Sequence, residues 1–310
     1  MRQGAPAGRG RGRVVAVIGP TAAGKSALSI ELARELDAEV VNADSMQLYR
    51  GLDIGTAKLT VDERAGVTHH LLDIWPVTTP ASVAEYQRLA RAAIDDILRR
   101  GRVPLLVGGS GLYVRAVLEH FEFPGTDPAL RARLEAELAE AGPAVLHARL
   151  AAADPAAAVA ILPGNGRRIV RALEVIELTG GPFTAALPDP TPYYDAVQLG
   201  VDRPTEELDE RIAVRVDQMW AAGLVAETNA LIGQGLREGR TASRALGYQQ
   251  VLRMIDGEYD EAQARAETVR ATRRFVRRQR TWFHRDGRVR WLDGTGDELL
   301  RSARAVLAAA

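Results

Sequence analysis

The sequence predicts an α/β protein built on a doubly wound parallel sheet, with an all-helical insertion domain and a helical C-terminal region. Three observations predict it. An apolar run, Val14–Ile18, leads through Gly19-Pro-Thr21-Ala22-Ala23-Gly24-Lys25-Ser26 into a helical pattern ending near Leu36. A second apolar run, Val103–Val107, follows a long amphipathic segment and ends in Gly108-Gly109-Ser110-Gly111. After about Glu119 the pattern turns purely helical until Val197–Val201 resumes an apolar strand. Alternating strands and helices imply a parallel sheet whose ligands sit at the C-terminal strand ends.

The elements follow in order. Val14–Ile18 reads as a buried strand, Lys25–Leu36 as a helix and Ala38–Asn42 as a second strand. Ser82 to Arg100 reads as an amphipathic helix opened by the capping box Ser82-x-x-Glu85. Leu130–Ala141, Ala144–Ala153 and Arg167–Thr179 are helical patterns, the last stopped by Gly180-Gly181-Pro182. Thr205–Trp220, Leu224–Gly233 and Tyr259 to about Arg285 are also helical, and Val289–Leu292 is a final strand. The expected organisation is a basic disordered tail over 1–13, an α/β core over 14–120 and 197–310, and a helical insertion over 121–196.

The chain of 310 residues has balanced charge, no cysteine and no apolar stretch of eighteen residues. Disulfides, thiolate metal sites and cysteine nucleophiles are excluded. A cytoplasmic, monomeric protein that spans no membrane is expected.

The first loop matches G-x-x-x-x-G-K-[ST] in its strand–helix context, a P-loop. Backbone N–H groups of residues 21–26 and the helix N-terminus would hold phosphate oxygens. Lys25 would reach the terminal phosphates and the Ser26 hydroxyl would ligate Mg²⁺. Lys25 and Lys58 are the only lysines, which suggests that the chain keeps lysine where a compact charge suits phosphate. Asp44, two residues past the second strand, is either a cap of the next turn or a base facing the crevice. The Gly108–Gly111 turn either joins strand to helix tightly or lets a ligand approach closely. Arg265 to Arg290 holds ten arginines, with Arg273, Arg277 and Arg280 on one helical face and Arg270, Arg274 and Arg278 beside it. Few acids lie among them, which favours an RNA backbone over a merely solvated helix. His69-His70 would point apart, Asp95-Asp96 would be solvated, and Trp75, Trp220 and Trp291 would pack in the core.

Taken together, the phosphate loop, Asn42-Ala-Asp-Ser-Met-Gln-Leu-Tyr49, Asp53-Ile-Gly-Thr-Ala-Lys58, His69-His-Leu-Leu-Asp-Ile74, Gly108-Gly-Ser-Gly-Leu-Tyr113, Arg171-Ala-Leu-Glu-Val175, Gly247-Tyr248 and Thr272 to Trp282 resemble the tRNA dimethylallyltransferases, across nearly the whole chain beyond the tail. The resemblance implies transfer of a dimethylallyl group from dimethylallyl diphosphate to the N6 amine of the adenosine 3′ to a tRNA anticodon, with Mg²⁺. It implies that the P-loop (Gly19, Thr21, Ala22, Ala23, Gly24, Lys25, Ser26) holds diphosphate, that Asp44 is the base and that Ser110 and Arg215 assist. Ser110 stands where the family usually has Thr, and Ala23 and Ser26 where Ser and Thr are frequent; no required group is lost. It also implies tRNA contacts at Asp44, Ser45, Met46, Gln47 and Ser110, at Arg131, Arg167, Arg168 and Arg171 of the insertion, at Arg244, Gly247, Tyr248 and Gln249, and at Arg273, Arg274, Arg277, Arg278 and Arg280. Competing readings are a small-molecule kinase using ATP at the same loop, prenylation of free AMP, and a nucleotide-gated RNA-binding switch.

Overall fold

In a computed structural model, residues 13–121, 123–183, 191–295 and 298–310 are described. The tail read over 1–13 lies outside them except for Arg13, which bonds Asp195 and the Ala310 carbonyl.

A six-stranded, all-parallel sheet forms the centre, in the order β3-β2-β4-β1-β5-β6. The strands are β1 (Val14–Ile18), β2 (Ala38–Asn42), β3 (His69–His70), β4 (Val103–Gly108), β5 (Ala196–Asp202) and β6 (Val289–Asp293). β1 is buried along its whole length between β4 and β5. Covered faces on both sides explain its unbroken Val/Ala/Ile run. The chain runs from β1 to β2 on one side and reaches β5 on the other, so β1 borders the point where strand order reverses. Ligand crevices of open α/β sheets form there.

Helix α1 (Lys25–Glu35) follows the P-loop and α2 (Val83–Arg99) crosses back before β4. Tyr86, Ala90, Ile94 and Ile97 form the buried stripe of α2. Ser82 Oγ accepts the Glu85 N–H, but the Glu85 carboxylate pairs with Arg88, so only half of the expected capping box forms. Of the Asp95-Asp96 pair, Asp95 accepts the Tyr194 hydroxyl at 2.8 Å and Asp96 pairs with Arg99 and Arg100; neither is simply solvated. Helix α3 (Gly111–Leu118) leaves the second Gly-rich turn.

The chain divides into two compact units, residues 1–120 with 192–310, and residues 121–191. The first resumes at Pro192, ahead of the 197 read from sequence, because Pro192 bridges Glu119 and the Tyr193 N–H bonds the Leu118 carbonyl. The second unit holds α4 (Pro128–Ala153), α5 (Pro155–Ala160) and α6 (Gly166–Thr179) around Leu134, Leu146, Leu150, Ile169 and Leu173. Helix α4 breaks at Gly142, whose φ of 79° precedes Pro143, which is where the sequence separates two helical patterns. The first unit continues with α7 (Thr205–Ala221), α8 (Leu224–Ile232), α9 (Tyr248–Ile255), α10 (Glu261–Phe283) and α11 (Leu299–Ala309).

Glu39, 2 % exposed on β2, receives Arg100, Arg102 and the His70 ring. Arg100 above all, against the opposing effect of burial, holds its carboxyl at about 2. His69 instead bonds the Val67 carbonyl, so the adjacent imidazoles serve separate partners. Removing one member of a buried ion cluster leaves unpaired charge, so Glu39→Ala should cost about 3–5 kcal/mol in urea unfolding. Because folding depresses this carboxyl, its contribution is full above its unfolded pKa and fades as pH falls from about 4.3 toward 2. Unchanged acid sensitivity in the Glu39→Ala variant would refute the assignment.

Candidate active site

The P-loop is held from three sides. Gly19, at φ 135°, takes a conformation that other residues avoid, and an added Cβ would lie 2.2 Å from the Val201 carbonyl oxygen. Ala22 is a non-glycine at φ 67°, a strain persisting where surroundings over-determine it. Arg211 Nε donates to the Ala22 carbonyl at 2.8 Å, and Arg203 Nε to the Ala23 carbonyl at 2.9 Å. The loop carbonyls thus face arginines, leaving amides for an anion. Two of the expected amides are already used, which corrects the reading of residues 21–26. The Thr21 N–H bonds Gln279 Oε1, and the Ala23 N–H turns back to the Pro20 carbonyl at 3.4 Å. Gly24, Lys25 and Ser26, at the start of α1, keep the anion-binding geometry of a helix N-terminus.

Asp44 faces the same cleft, a cavity of about 210 Å³ lined by Thr21, Lys25, Ser26, Asp44, Gln47, Gly108, Arg211 and Arg215 among others. Its conformation is dictated locally. Asp44 Oδ1 accepts the Met46 N–H at 2.9 Å, an Asx turn. Asn42, the last residue of β2, accepts the Asp44 N–H on Oδ1 and donates from Nδ2 to the Asp44 and Leu71 carbonyls. Asp44 is therefore both turn cap and cleft carboxylate. Burial raises its pKa, opposed by the Met46 amide and by Lys25. Burial likewise lowers Lys25 to about 8, with Asp44 opposing the shift and Arg215 adding to it. Lys25 Nζ rests on the Pro20 carbonyl at 2.7 Å. Burial, then Arg211, lowers Arg215. Two arginines and one lysine thus crowd a half-buried cleft beside one carboxylate, an arrangement whose positive potential favours a multiply charged anion.

Ser110 is a tie between loops: its Oγ accepts the Ser45 N–H at 3.1 Å and donates to Ser45 Oγ at 3.3 Å. Lys58 corrects the idea that both lysines serve phosphate. It is 8 % exposed and bonds Asp53, Asp73 and the Tyr49 carbonyl, closing the 49–58 loop.

Comparison with known proteins bears on this geometry. A family model described as IPP transferase matches residues 47–286. The tRNA dimethylallyltransferase of Salinispora arenicola is 79 % identical over 300 residues, covering 96 % of this chain and 88 % of the relative. That of Streptomyces avermitilis is 70 % identical over 287 residues, with 93 % and 92 % covered. The chain belongs to the IPP transferase family. Among solved structures, the full-length tRNA isopentenylpyrophosphate transferase of Bacillus halodurans superposes with a TM-score of 0.72 at 40 % identity, covering 96 % of both chains. A eukaryotic dimethylallyltransferase acting on tRNA gives 0.81 at 26 % identity, covering 95 % of this chain and 77 % of the other.

In this IPP transferase the residues expected at tRNA differ in exposure. Arg167, Arg168, Arg244, Gln249, Arg274, Arg277 and Arg278 are exposed. Gly247 and Tyr248 are buried, which corrects the expectation of direct contact; the Tyr248 hydroxyl donates to Glu227 and accepts the Gly55 N–H. Arg131 and Arg171 converge on Glu174, itself fully buried, and Arg171 also bonds the Pro124 and Gly125 carbonyls. Arg273 pairs with Asp209 and Arg280 with Asp202, while Arg270 and Arg274 share Glu267. The Arg-rich face is thus less bare than its sequence suggests: acids from β5 and α7 fill part of it. Gln47 donates to the Thr56 carbonyl at the cleft edge. The sequence reading missed Arg203, Arg211, Asn42 and Gln279. Arg211 had a signal, since it lies one turn before Arg215 on α7.

Proposed function

We propose that the protein transfers the dimethylallyl group of dimethylallyl diphosphate to the N6 amine of the adenosine 3′ to a tRNA anticodon. The observation that carries this reading is one cleft in which Asp44 stands with Lys25, Ser26 and Arg215. The adenine amine is a weak nucleophile because its lone pair is delocalised into the ring. As its nitrogen bonds C1 of the donor, the C1–oxygen bond breaks, the electron pair leaves with diphosphate, and one N6 proton passes to Asp44. Charge builds on the departing diphosphate, where Lys25, Arg215 and the remaining loop amides stabilise it. The target base must leave the anticodon-loop stack to reach Asp44, at a cost of a few kcal/mol. The exposed arginines of α10 and the insertion supply phosphate contacts that offset this cost.

The residues present fit Mg²⁺. The Ser26 hydroxyl lines the cleft without a partner among the described residues and would hold the ion, with the Asp44 carboxylate in the same cleft. A bound ion there would neutralise charge on the diphosphate oxygens.

Mass spectrometry of tRNA incubated with the protein, Mg²⁺ and dimethylallyl diphosphate tests the reading, with AMP as parallel acceptor. A mass gain on AMP alone would move the activity to free nucleotides. Phosphate transfer from ATP with the prenyl donor ignored would favour the kinase reading.

The charge states predict a bell-shaped pH profile of kcat/KM for the donor, which reports the free enzyme. Lys25, lowered by burial to about 8, is charged below that value, so the profile should fall as pH rises through it. Asp44, raised by burial, must be ionised, so the acid limb should lie at higher pH than that of a solvent-exposed aspartate. Bound diphosphate stabilises the ammonium, so kcat should hold to higher pH than kcat/KM. A kcat/KM profile still flat at about pH 9.5, where an ammonium of pKa about 8 is mostly neutral, would remove Lys25 from the role.

A further inference from the structure

We propose that Gln279 is a positioning residue for this reaction: from α10 its amide locks the P-loop to the Gly109 turn. The helix that carries the exposed arginines thereby also sets the geometry of the donor site. The inference rests on the function proposed above but names a residue and a coupling outside it.

Gln279 is 6 % exposed and lies on the buried face of α10 with Val276 and Phe283. Its Oε1 accepts the Thr21 N–H at 3.0 Å and its Nε2 donates to the Gly109 carbonyl at 2.9 Å. One partner needs an acceptor and the other a donor, so the two contacts fix the orientation of the amide. Few side chains can supply both. A carboxylate only accepts and a leucine does neither. The approach is close: a Cβ at Gly109 would sit 2.3 Å from Gln279 Nε2. Glycine at 109 therefore serves this clasp, a reason for the Gly-rich turn that needs no ligand backbone.

Two neighbouring contacts act in the same direction. Trp282, one turn on, packs so tightly on Gly111 that an added Cβ would lie 2.2 Å from its ring. Arg280 Nε bonds Asp202 at 2.9 Å, and the next residue, Arg203, holds the Ala23 carbonyl. Three contacts of α10 thus brace the two loops that flank the cleft. By taking the Thr21 amide, Gln279 also settles which loop amides stay free for an anion. Reacting atoms tolerate little displacement, since a misplacement of about 1 Å can cost about 10²-fold in rate.

The test uses the full-length protein with Gln279→Leu and Gln279→Glu. Calorimetry with inorganic diphosphate reads the loop without any prenyl transfer. Steady-state kinetics reads kcat/KM for the donor, and filter binding reads tRNA affinity. Gln279→Leu is expected to weaken diphosphate binding and to lower donor kcat/KM by roughly 10–100-fold, with tRNA affinity changed less than about threefold. Gln279→Glu accepts from Thr21 but cannot donate to Gly109 until it is protonated. Its activity relative to wild type should therefore climb as pH falls through the pKa of the new carboxyl, which burial sets above the ordinary value of about 4.3, a dependence that the uncharged Gln279→Leu should lack. Wild-type diphosphate affinity and kcat/KM in Gln279→Leu would overturn the proposal, as would equal losses in donor and tRNA binding. If Gln279→Leu does not fold, the pH dependence of the activity ratio of Gln279→Glu to wild type decides, and a flat ratio overturns it. A wild-type protein that binds diphosphate but leaves tRNA unmodified would overturn the function while the Gln279 comparison still stands on diphosphate binding.

Discussion

Asp44→Asn should lower kcat by about 10²–10⁴-fold, the usual worth of a positioned base, while leaving the protein folded and able to bind diphosphate. Asparagine keeps the oxygen that accepts the Met46 N–H, so the turn and its Asn42 clamp survive. On the proposed mechanism, what disappears is the acceptor for the N6 proton. The substitution also has a second, independent signature. Asp44 holds the Lys25 ammonium up against burial and Arg215, so its removal should shift the alkaline limb of donor kcat/KM to lower pH. Single-turnover kinetics with tRNA and titration with diphosphate separate the two effects. Wild-type turnover in the variant would exclude Asp44 as the base.

Lys25→Met should cost about 10²–10³-fold in kcat, comparable to removing one preorganised donor from a developing anion. Its side chain lies within a cleft already crowded with positive charge, so methionine fills the space at little cost to the fold. The reciprocal shift follows from the same pair: Lys25 lowers the Asp44 carboxyl, so its loss should move the acid limb upward. Affinity for tRNA should stay near wild type. A variant whose diphosphate affinity is intact would show that the loop amides and arginines carry the charge without Lys25.

Much of the fold was legible because its signals are local. The apolar runs of β1 and β4, the Gly142-Pro143 break and the strand–loop–helix context of the P-loop all declare themselves within a few residues. Asp44 was legible as a position, and the structure shows why neither reading of it excluded the other: one oxygen caps a turn while the residue lines the cleft. What stayed hidden depends on partners far apart in the chain. Gln279 and Thr21 are separated by 258 residues, and Arg211 and Ala22 by 189. Nothing near an arginine in α10 announces that Asp202 or Asp209 will meet it, so the face reads as barer than it is. The two-residue strand β3 is too short for periodicity to reveal. Besides the spacing of Arg211 to Arg215, a second signal was available: an uncharged amide at position 279, among arginines but in register with Val276 and Phe283, marks a polar group facing inward.

The placement of the two lysines has a practical chemical consequence. Lys58 is enclosed by two carboxylates and a carbonyl, whereas Lys25 opens onto the cleft with a pKa of about 8. An acylating reagent such as an activated ester consumes unprotonated amines, and at mildly alkaline pH Lys25 is the side chain that offers one. Acylation located at Lys25 by mass spectrometry, apart from any at the chain's α-amine of pKa about 8, would on the proposed function silence the enzyme and, through protection by added diphosphate, report occupancy of the cleft.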